Sequence, residues 1–412
     1  MPRKTISRPW NVLWISCIFA LPSGAAAQES WADKVIITKK LGIKIGHTDK
    51  DGKQIYLATL TEPEYAVVKD QDGWLKVRTR RGVEGWFEKS DAVLLENAEA
   101  YFTSVIKIKP GDASAYYFRG VVLLLKTAND AALQDLGTAL RLDPKMVPAY
   151  IVRGRLFTEV NNLPAAMKDL DEAIRLEPGN VVAYLARGVA WRVKKDQDSA
   201  IKDFNEAIRL DPGELEGFLG RGICHGAKKD YDQAIKDFSE VIRLDPKHAT
   251  AYTERGLAWV GQKEPDKAVK DFDEVIRLEP KNAEAMCFRG DVWKTKKDFV
   301  RALADFTEAT KVDPESAYAC NACAWLLATC PEDKIRDGKK AVELARKAVK
   351  LTEEKDPVFF DTLAAAHAEA GDFAEAVRCE ERALADENFA REDGKSARER
   401  LELYRNKKPF RD

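Results

Sequence analysis

Proline returns at a fixed interval of 34 residues along this chain, at Pro110, Pro144, Pro178, Pro212, Pro246, Pro280 and Pro314. An interval of that length belongs to chains that stack one small unit on copies of itself. Proline cannot continue a helix, and it biases its predecessor away from helical angles. The middle prolines each follow Arg-Leu-Asp or Arg-Leu-Glu, as in Arg209-Leu210-Asp211-Pro212, so each marks the end of a helix. A binding surface is the expected product of such a stack, and an active site is not.

Other residue types keep the same register when each unit is counted from the third residue after its proline. An aromatic stands fourth (Tyr116, Tyr150, Tyr184, Phe218, Tyr252), with Met286 in the sixth unit. Glycine stands eighth (Gly120, Gly154, Gly188, Gly222, Gly256, Gly290) and alanine twentieth (Ala132, Ala166, Ala200, Ala234, Ala268, Ala302). A large apolar residue stands twenty-fourth (Leu136, Leu170, Phe204, Phe238, Phe272, Phe306). Spacings of four and seven place these residues on one helix face. A glycine inside a helix costs about 1 kcal/mol against alanine, so its repetition predicts a neighbouring helix close by. In the third unit the pattern predicts helices over Val181 to Lys194 and Asp198 to Leu210. Lys195-Asp196-Gln197 is the expected turn and Asp198 the expected cap.

This pattern resembles the tetratricopeptide repeat (TPR), a helix-turn-helix unit of the same length, from Ala113 to about Leu384. The expected fold class is mainly α, an α–α superhelix or solenoid, with eight units over residues 113–384. Six regular units begin at 113, 147, 181, 215, 249 and 283. The seventh (317–356) fits only with extra residues in its turn, around Cys330 to Gly338, and the eighth (357–390) is degenerate, with its turn at Gly371-Asp372. Ala98, Phe102, Val105 and Pro110 match a second helix alone, so residues 96–112 form a half-unit. Residues 391–412 provide a capping helix and tail, as the last hydrophobic face requires.

The internal copies also act as an alignment within one molecule. Arginine stands seventh (Arg119, Arg153, Arg187, Arg221, Arg255, Arg289) and aspartate twenty-third (Asp135, Asp169, Asp203, Asp237, Asp271, Asp305). Both are lost together, to Cys323 and Leu344 in the seventh unit and to Leu363 and Cys379 in the eighth. Joint loss suggests contact. These residues are read as ion pairs joining the two helices of each unit, with ligand binding as the alternative.

The formal net charge is −1, with the two signs interspersed, which describes a solvated surface and gives no basic face for nucleic acid. Residues 1–27 differ: Arg3, Lys4 and Arg8 precede an apolar run from Trp10 to Leu21, and Ala25-Ala26-Ala27 provides a cleavage site before Gln28. That is the pattern of a secretory signal peptide, with an uncleaved anchor or a lipid on Cys17 as alternatives. A periplasmic or secreted protein is expected, without a transmembrane span in the mature chain. Residues 28–95 lack the helical period. Tyr65 to Val68, Trp74 to Val77 and Val83 to Phe87 read as strands, with Asp72-Gly73 as a hairpin turn. Gly73-Trp74 and Gly85-Trp86 resemble the bacterial Src-homology-3-like barrel, a family whose members often bind cell-wall peptides or glycans. That resemblance implies a ligand face of Tyr56, Tyr65, Trp74 and Trp86; the alternative is that these rings fill a small core.

No constellation of catalytic residues emerges, and no cofactor or metal is expected. His225 and His367 stand at the eleventh position, elsewhere apolar, while His47 and His248 fall in loops without companions. Cys320 and Cys323 have the spacing of a redox or metal pair, but both fall at packing positions of a helix. Buried thiols, a disulfide and a metal all remain open. The TPR resemblance implies a concave groove lined by first helices, here Tyr117, Val121, Leu124, Ile151, Leu185, Val189, Leu219, Ile223, Leu257 and Trp325. The clamp with which chaperone-tail-binding members hold a carboxylate is absent. An apolar groove fits an amphipathic helix or hydrophobic peptide, self-association, or the chain's own ends. The function expected is a non-enzymatic exported scaffold binding a protein or peptide ligand. The alternative is a cell-wall-binding protein whose barrel holds peptidoglycan and whose repeats are a spacer.

Overall fold

A computed structural model describes residues 31–32, 34–40, 43–48, 54–59, 64–71, 73–78 and 83–412. The expected signal peptide and Cys17 lie outside the described residues, as does Asp72 of the expected hairpin turn. Seven strands, β1 (Val35–Thr38), β2 (Lys44–Thr48), β3 (Gln54–Thr59), β4 (Glu64–Gln71), β5 (Trp74–Arg78), β6 (Glu84–Glu88) and β7 (Ala92–Leu94), form one antiparallel sheet. Its order is β3-β2-β6-β5-β4-β1-β7, and among the described residues the terminal strands β3 and β7 do not pair. Gln71 pairs with Trp74 across the β4–β5 turn, where Gly73 takes a φ of +80° that glycine adopts without strain. The alternation along β5 and β6 sends Leu75, Val77 and Phe87 into a core with Ile36, Tyr65 and Val67. β1, β2, β3 and β7 are missing from the sequence reading. β1 and β7 read Val-Ile-Ile-Thr and Ala-Val-Leu, too short and too continuously apolar to show alternation.

The sheet runs directly into the helices. Ile37 and Val93 join the cluster of Phe102 and Phe118, so the sheet and the first helices share a core. The chain falls into two compact bodies, dividing after Pro212. The first holds the sheet, the half-unit helix α1 (Leu95–Ile108), and three hairpins. These are α2 (Ala113–Leu125) with α3 (Asn129–Leu142), α4 (Val147–Glu159) with α5 (Leu163–Leu176), and α6 (Val181–Val193) with α7 (Gln197–Leu210). The second body begins with α8 (Leu215–Ala227) and α9 (Tyr231–Leu244), then α10 (Ala249–Gly261) and α11 (Pro265–Leu278). It continues with α12 (Ala283–Thr295) and α13 (Phe299–Val312), α14 (Ala317–Thr329) and α15 (Gly338–Leu351), and α16 (Pro357–Glu369) and α17 (Phe373–Leu384). The expected single capping helix is instead two, α18 (Glu387–Glu392) and α19 (Gly394–Arg405), with Asp393 between them. α19 packs on α17.

Two local devices build each hairpin. Position fifteen is left-handed, at Thr127, Asn161, Lys195, Lys229, Lys263, Lys297 and Gly371. The next amide then bonds back to position eleven, as Asp196 does to the Trp191 carbonyl at 3.0 Å. The following helix is capped from position sixteen: Asp196 accepts from the Ser199 amide at 3.0 Å. The cap is therefore Asp196 rather than Asp198. Asp196 falls within the expected turn, and the left-handed residue before it is a lysine, which carries no sequence mark.

The second device is the eighth-position glycine. A Cβ on Gly188, Gly222, Gly256 or Gly290 would lie 2.7 or 2.8 Å from the ring of the twenty-fourth-position phenylalanine. Those rings are fully buried, so they cannot swing away. Gly222→Ala gains about 1 kcal/mol of helix propensity but overpacks Phe238, at a cost of about 1–3 kcal/mol. We expect a net loss of stability, measured by thermal or denaturant unfolding; a stabilised variant would refute the contact.

Candidate functional site

The repeated arginines and aspartates meet. Arg187 donates from Nε to Asp203 Oδ2 at 2.8 Å and from Nη2 to Oδ1 at 2.7 Å. The same two-pronged contact joins Arg119 to Asp135, Arg153 to Asp169, Arg221 to Asp237, Arg255 to Asp271 and Arg289 to Asp305. The aspartate side chains are only 4–10% exposed and the arginines 21–23%. Asp203, by hydrogen bonding, holds the Arg187 guanidinium above the ordinary arginine range, against the opposing effect of burial. Most of these arginines also lie over the fourth-position ring, 5.7 Å from its centre for Tyr184 and 5.5 Å for Phe218.

The third guanidinium nitrogen reaches the preceding unit, which the sequence reading missed. Arg187 Nη1 donates to Asp171 at 2.7 Å, Arg255 Nη1 to Ser239 at 3.0 Å and Arg119 Nη1 to Thr103 at 3.3 Å. Arg289 does the same to Asp273. All four partners stand twenty-fifth in their units. In the seventh unit, which has lost the arginine, Cys323 Sγ lies 3.9 Å from Thr307 Oγ1 at the same place. The polar character of position twenty-five was the available signal.

The expected groove residues divide by burial. Tyr117, Val121, Ile151 and Leu185 are buried among first helices, and Leu124 and Val189 half-buried, in the first body. In the second, Leu219, Ile223, Leu257 and Trp325 are half-buried. Asp291, at groove position nine of the sixth unit, accepts a hydrogen bond from the Tyr318 hydroxyl at 2.5 Å. On the sheet, Tyr65 belongs to the core, while Trp74 is 41% exposed and Trp86 is half-buried with Lys69 over its ring. Tyr56 lies on β3, and its side chain is outside the described residues. Cys224, Cys287, Cys320, Cys323, Cys330 and Cys379 are all buried. His367 is buried, and burial pushes its pKa down. His225 is half-buried, and His248 caps α10 by accepting from the Ala251 amide.

The end of the array departs most from the repeat. Glu380 occupies the twenty-fourth position, where the regular units bury leucine or phenylalanine, and is itself fully buried. The nearest donor to its carboxyl is Arg400 Nε at 3.5 Å. Arg400, from α19, is committed to Asp361 on α16, at 2.8 Å from Nε and 2.7 Å from Nη2. Burial, followed by the charge of Asp361, pushes the Glu380 pKa up to about 10, and burial raises Asp361 as well. One guanidinium thus faces two carboxyls, and the pair retains a proton at neutral pH. Tyr404 and Asp393 are the other titratable groups beside it. Beyond Arg400, Phe410 and Asp412 contact Trp325.

A tetratricopeptide repeat model matches residues 216–248, and a second matches 151–214 and 260–319. Residues 151–319 thus carry tetratricopeptide repeats. Among solved structures it is similar to YrrB, described as a TPR protein with an unusual peptide-binding site. The two share 24% identity over 46% of this chain and 97% of YrrB, with a TM-score of 0.38. It is also similar to the Cut9–Hcn1 assembly (16% identity, 75% of this chain and 59% of that one, TM-score 0.50). Yeast Tom70 follows, with 21% identity over 72% and 64% of the two chains and a TM-score of 0.49. At 16% identity the likeness to Cut9–Hcn1 speaks to fold alone. No curated protein matches the sequence. TPR arrays generally mediate protein–protein interactions, and the family is typically non-enzymatic.

Arg187→Ala should cost about 3 kcal/mol, because it strands a buried carboxylate. Arg187→Leu with Asp203→Leu should recover most of that loss in the same melt. Glu380 gives a pH signature. Its folded pKa lies above its ordinary 4.5, so its contribution to stability is present below that value and is lost as pH rises towards about 10. The decline is at most about 1.4 kcal/mol per pH unit. Glu380→Gln should flatten it and be the more stable protein at pH 9. An unchanged pH profile would show that Glu380 ionises freely in the fold.

Proposed function

We propose that this TPR protein is a non-enzymatic scaffold whose first helices hold protein or peptide segments, working outside the cytoplasm in the bacterial envelope or beyond it. The observation that carries the binding role is that first helices in each body present half-buried apolar residues: Leu124 and Val189 in one body, Leu219, Ile223 and Leu257 in the other. Such side chains are covered enough to be rigid and open enough to lose further area to a ligand. The polar groups that repeat, by contrast, are consumed in ion pairs. Among the described residues no cluster has the makings of a metal site, and no helix is long and apolar enough to cross a membrane. Export rests on the leader pattern of residues 1–27.

A second reading takes the sheet as a Src-homology-3-like barrel that holds cell-wall material, with the repeats as spacer. It is favoured by Trp74 and Trp86, which β5 and β6 turn away from the core.

Photo-crosslinkers placed at Val189 and Ile223 should capture protein in the native cells, while the same groups at exposed Lys202 and Lys236 stay silent. Retention on purified wall, lost on changing Trp74 and Trp86 to alanine, with no crosslinks from the helices, would favour the second reading. The mature protein should begin at Gln28 by mass spectrometry; a full-length chain recovered from the cytoplasm would remove the basis for export.

A further inference from the structure

The insertion in the seventh unit changes how its first helix ends. In a regular unit the left-handed turn returns its amides to the last carbonyls, as Lys195 does to Arg192 and Asp196 to Trp191, both at 3.0 Å. In the seventh unit residues 330–337 replace that turn. Asp337 still reaches Leu327 at 3.0 Å, but no turn amide takes the Ala328 carbonyl. A helix C-terminus left this way offers acceptors and a partial negative charge.

The segment Lys408 to Asp412 follows α19 without helix or strand and occupies this place. Asp412 donates its amide to the Thr329 carbonyl at 2.9 Å, and its carboxylate accepts from the Trp325 indole at 2.9 Å. Lys294 Nζ approaches the same carboxylate to 3.9 Å. Arg411 pairs with Glu369 at 2.7 Å and reaches the Ala328 carbonyl at 3.4 Å. Glu369 is held ready by Arg336, whose Nε lies 2.8 Å away. The Phe410 ring centre lies 6.0 Å from that of Trp325, and the Arg400 guanidinium sits 5.6 Å from both rings. Each of the three residues meets its chemical complement: aromatic with aromatic and cation, cation with carboxylate and carbonyls, anion with indole N–H and ammonium. Past Asp412 an open cavity of about 290 Å³ continues between Lys294, Lys297, Thr295, Phe299 and Cys330.

We propose that this place is a peptide-binding site of its own, which the chain's tail fills as a stand-in. Its partner ligand is an extended protein segment reading aromatic–basic–acidic, with further acidic residues directed at Lys294 and Lys297. The tail and the partner compete, so the site is closed until a segment with better charge complementarity displaces residues 408–412. This deepens the scaffold reading and rests on it, by naming the class of segment held. The combination is specific. An isolated aromatic would gain only the ring contacts, whereas the full motif also satisfies a main-chain carbonyl and two fixed charges.

The test uses the full chain and a fluorescent synthetic peptide of residues 403–412, followed by anisotropy. Phe410→Ala with Arg411→Ala should release the tail and bind the peptide at least tenfold more tightly than the native chain does. Trp325→Ala in that background should abolish the gain. Two aspartates added to the peptide should tighten binding further, and Lys294→Glu with Lys297→Glu should cancel that increment. Arg411→Glu alone, which removes no core side chain, serves as the second releasing variant should the double variant melt early. Equal, weak binding to native and released chains would overturn the proposal. So would a concentration-dependent dimer of the native chain that the peptide dissolves, since the occupant would then be a second copy's tail. Crosslinks from Val189 and Ile223 that persist while the peptide fails would leave the scaffold reading standing and remove this site alone.

Discussion

The missing methyl group at the eighth position sets the distance between the two helices of a regular unit. With a phenylalanine ring within 2.8 Å of where a Cβ would sit, the helices approach as closely as a backbone against a ring allows. Only then do the guanidinium at position seven and the carboxylate at position twenty-three meet in two parallel hydrogen bonds. The apolar contact comes first in this ordering, because it is dry and cannot adjust. The ion pair sits one residue from it on each helix and inherits its geometry. A buried pair of this kind is weak evidence of stability in itself. Its value lies in specification, since a register shift of either helix would strand an aspartate that is 4–10% exposed.

The third guanidinium nitrogen extends the same logic from within a unit to between units. Each arginine closes its own hairpin with two nitrogens, and Arg119, Arg187, Arg255 and Arg289 tie to the unit before with the third. The partners differ in charge: aspartate before Arg187 and Arg289, serine before Arg255, threonine before Arg119. Gly137, at the same position, leaves a Cβ-sized space 3.6 Å from Arg153 Nη1. The strength of the inter-unit tie therefore varies along the array while the intra-unit tie does not. A lysine could not replace the arginine, having a single nitrogen to serve two partners in different directions.

Periodicity made most of this legible. The helices of the regular units follow from the prolines and the apolar spacing, and the Arg–Asp contacts from their joint loss in the last units. What escaped had no period or too short a span. The cap at Asp196 was hidden behind a left-handed Lys195, because a lysine at positive φ looks like any other lysine. β1 and β7 are buried short runs without alternation. The break at Asp393 separates helices that share one charged composition. The docking of Phe410 to Asp412 depends on Trp325 and Glu369, which lie 87 and 42 residues away in sequence from the tail residues they meet. No local rule connects them.

Glu380 shows why the end of a repeat array is where such exceptions gather. An acid in place of the twenty-fourth-position phenylalanine would be intolerable inside the array, where the adjacent seventh-position arginine is already bound to its own aspartate. Neutralising it there would need a second cation that the repeat does not carry. The eighth unit has no seventh-position arginine and no twenty-third-position aspartate, so its polar slot is vacant. α19, being outside the repeat, is free to supply Arg400 from the far side. The same guanidinium that answers Asp361 and Glu380 on its inner side presents its face to Trp325 and Phe410 on the outer side. The buried acids therefore do more than survive at the end of the array. They fix the cation on which the aromatic contact of the tail is built, Asp361 through two close contacts and Glu380 from 3.5 Å.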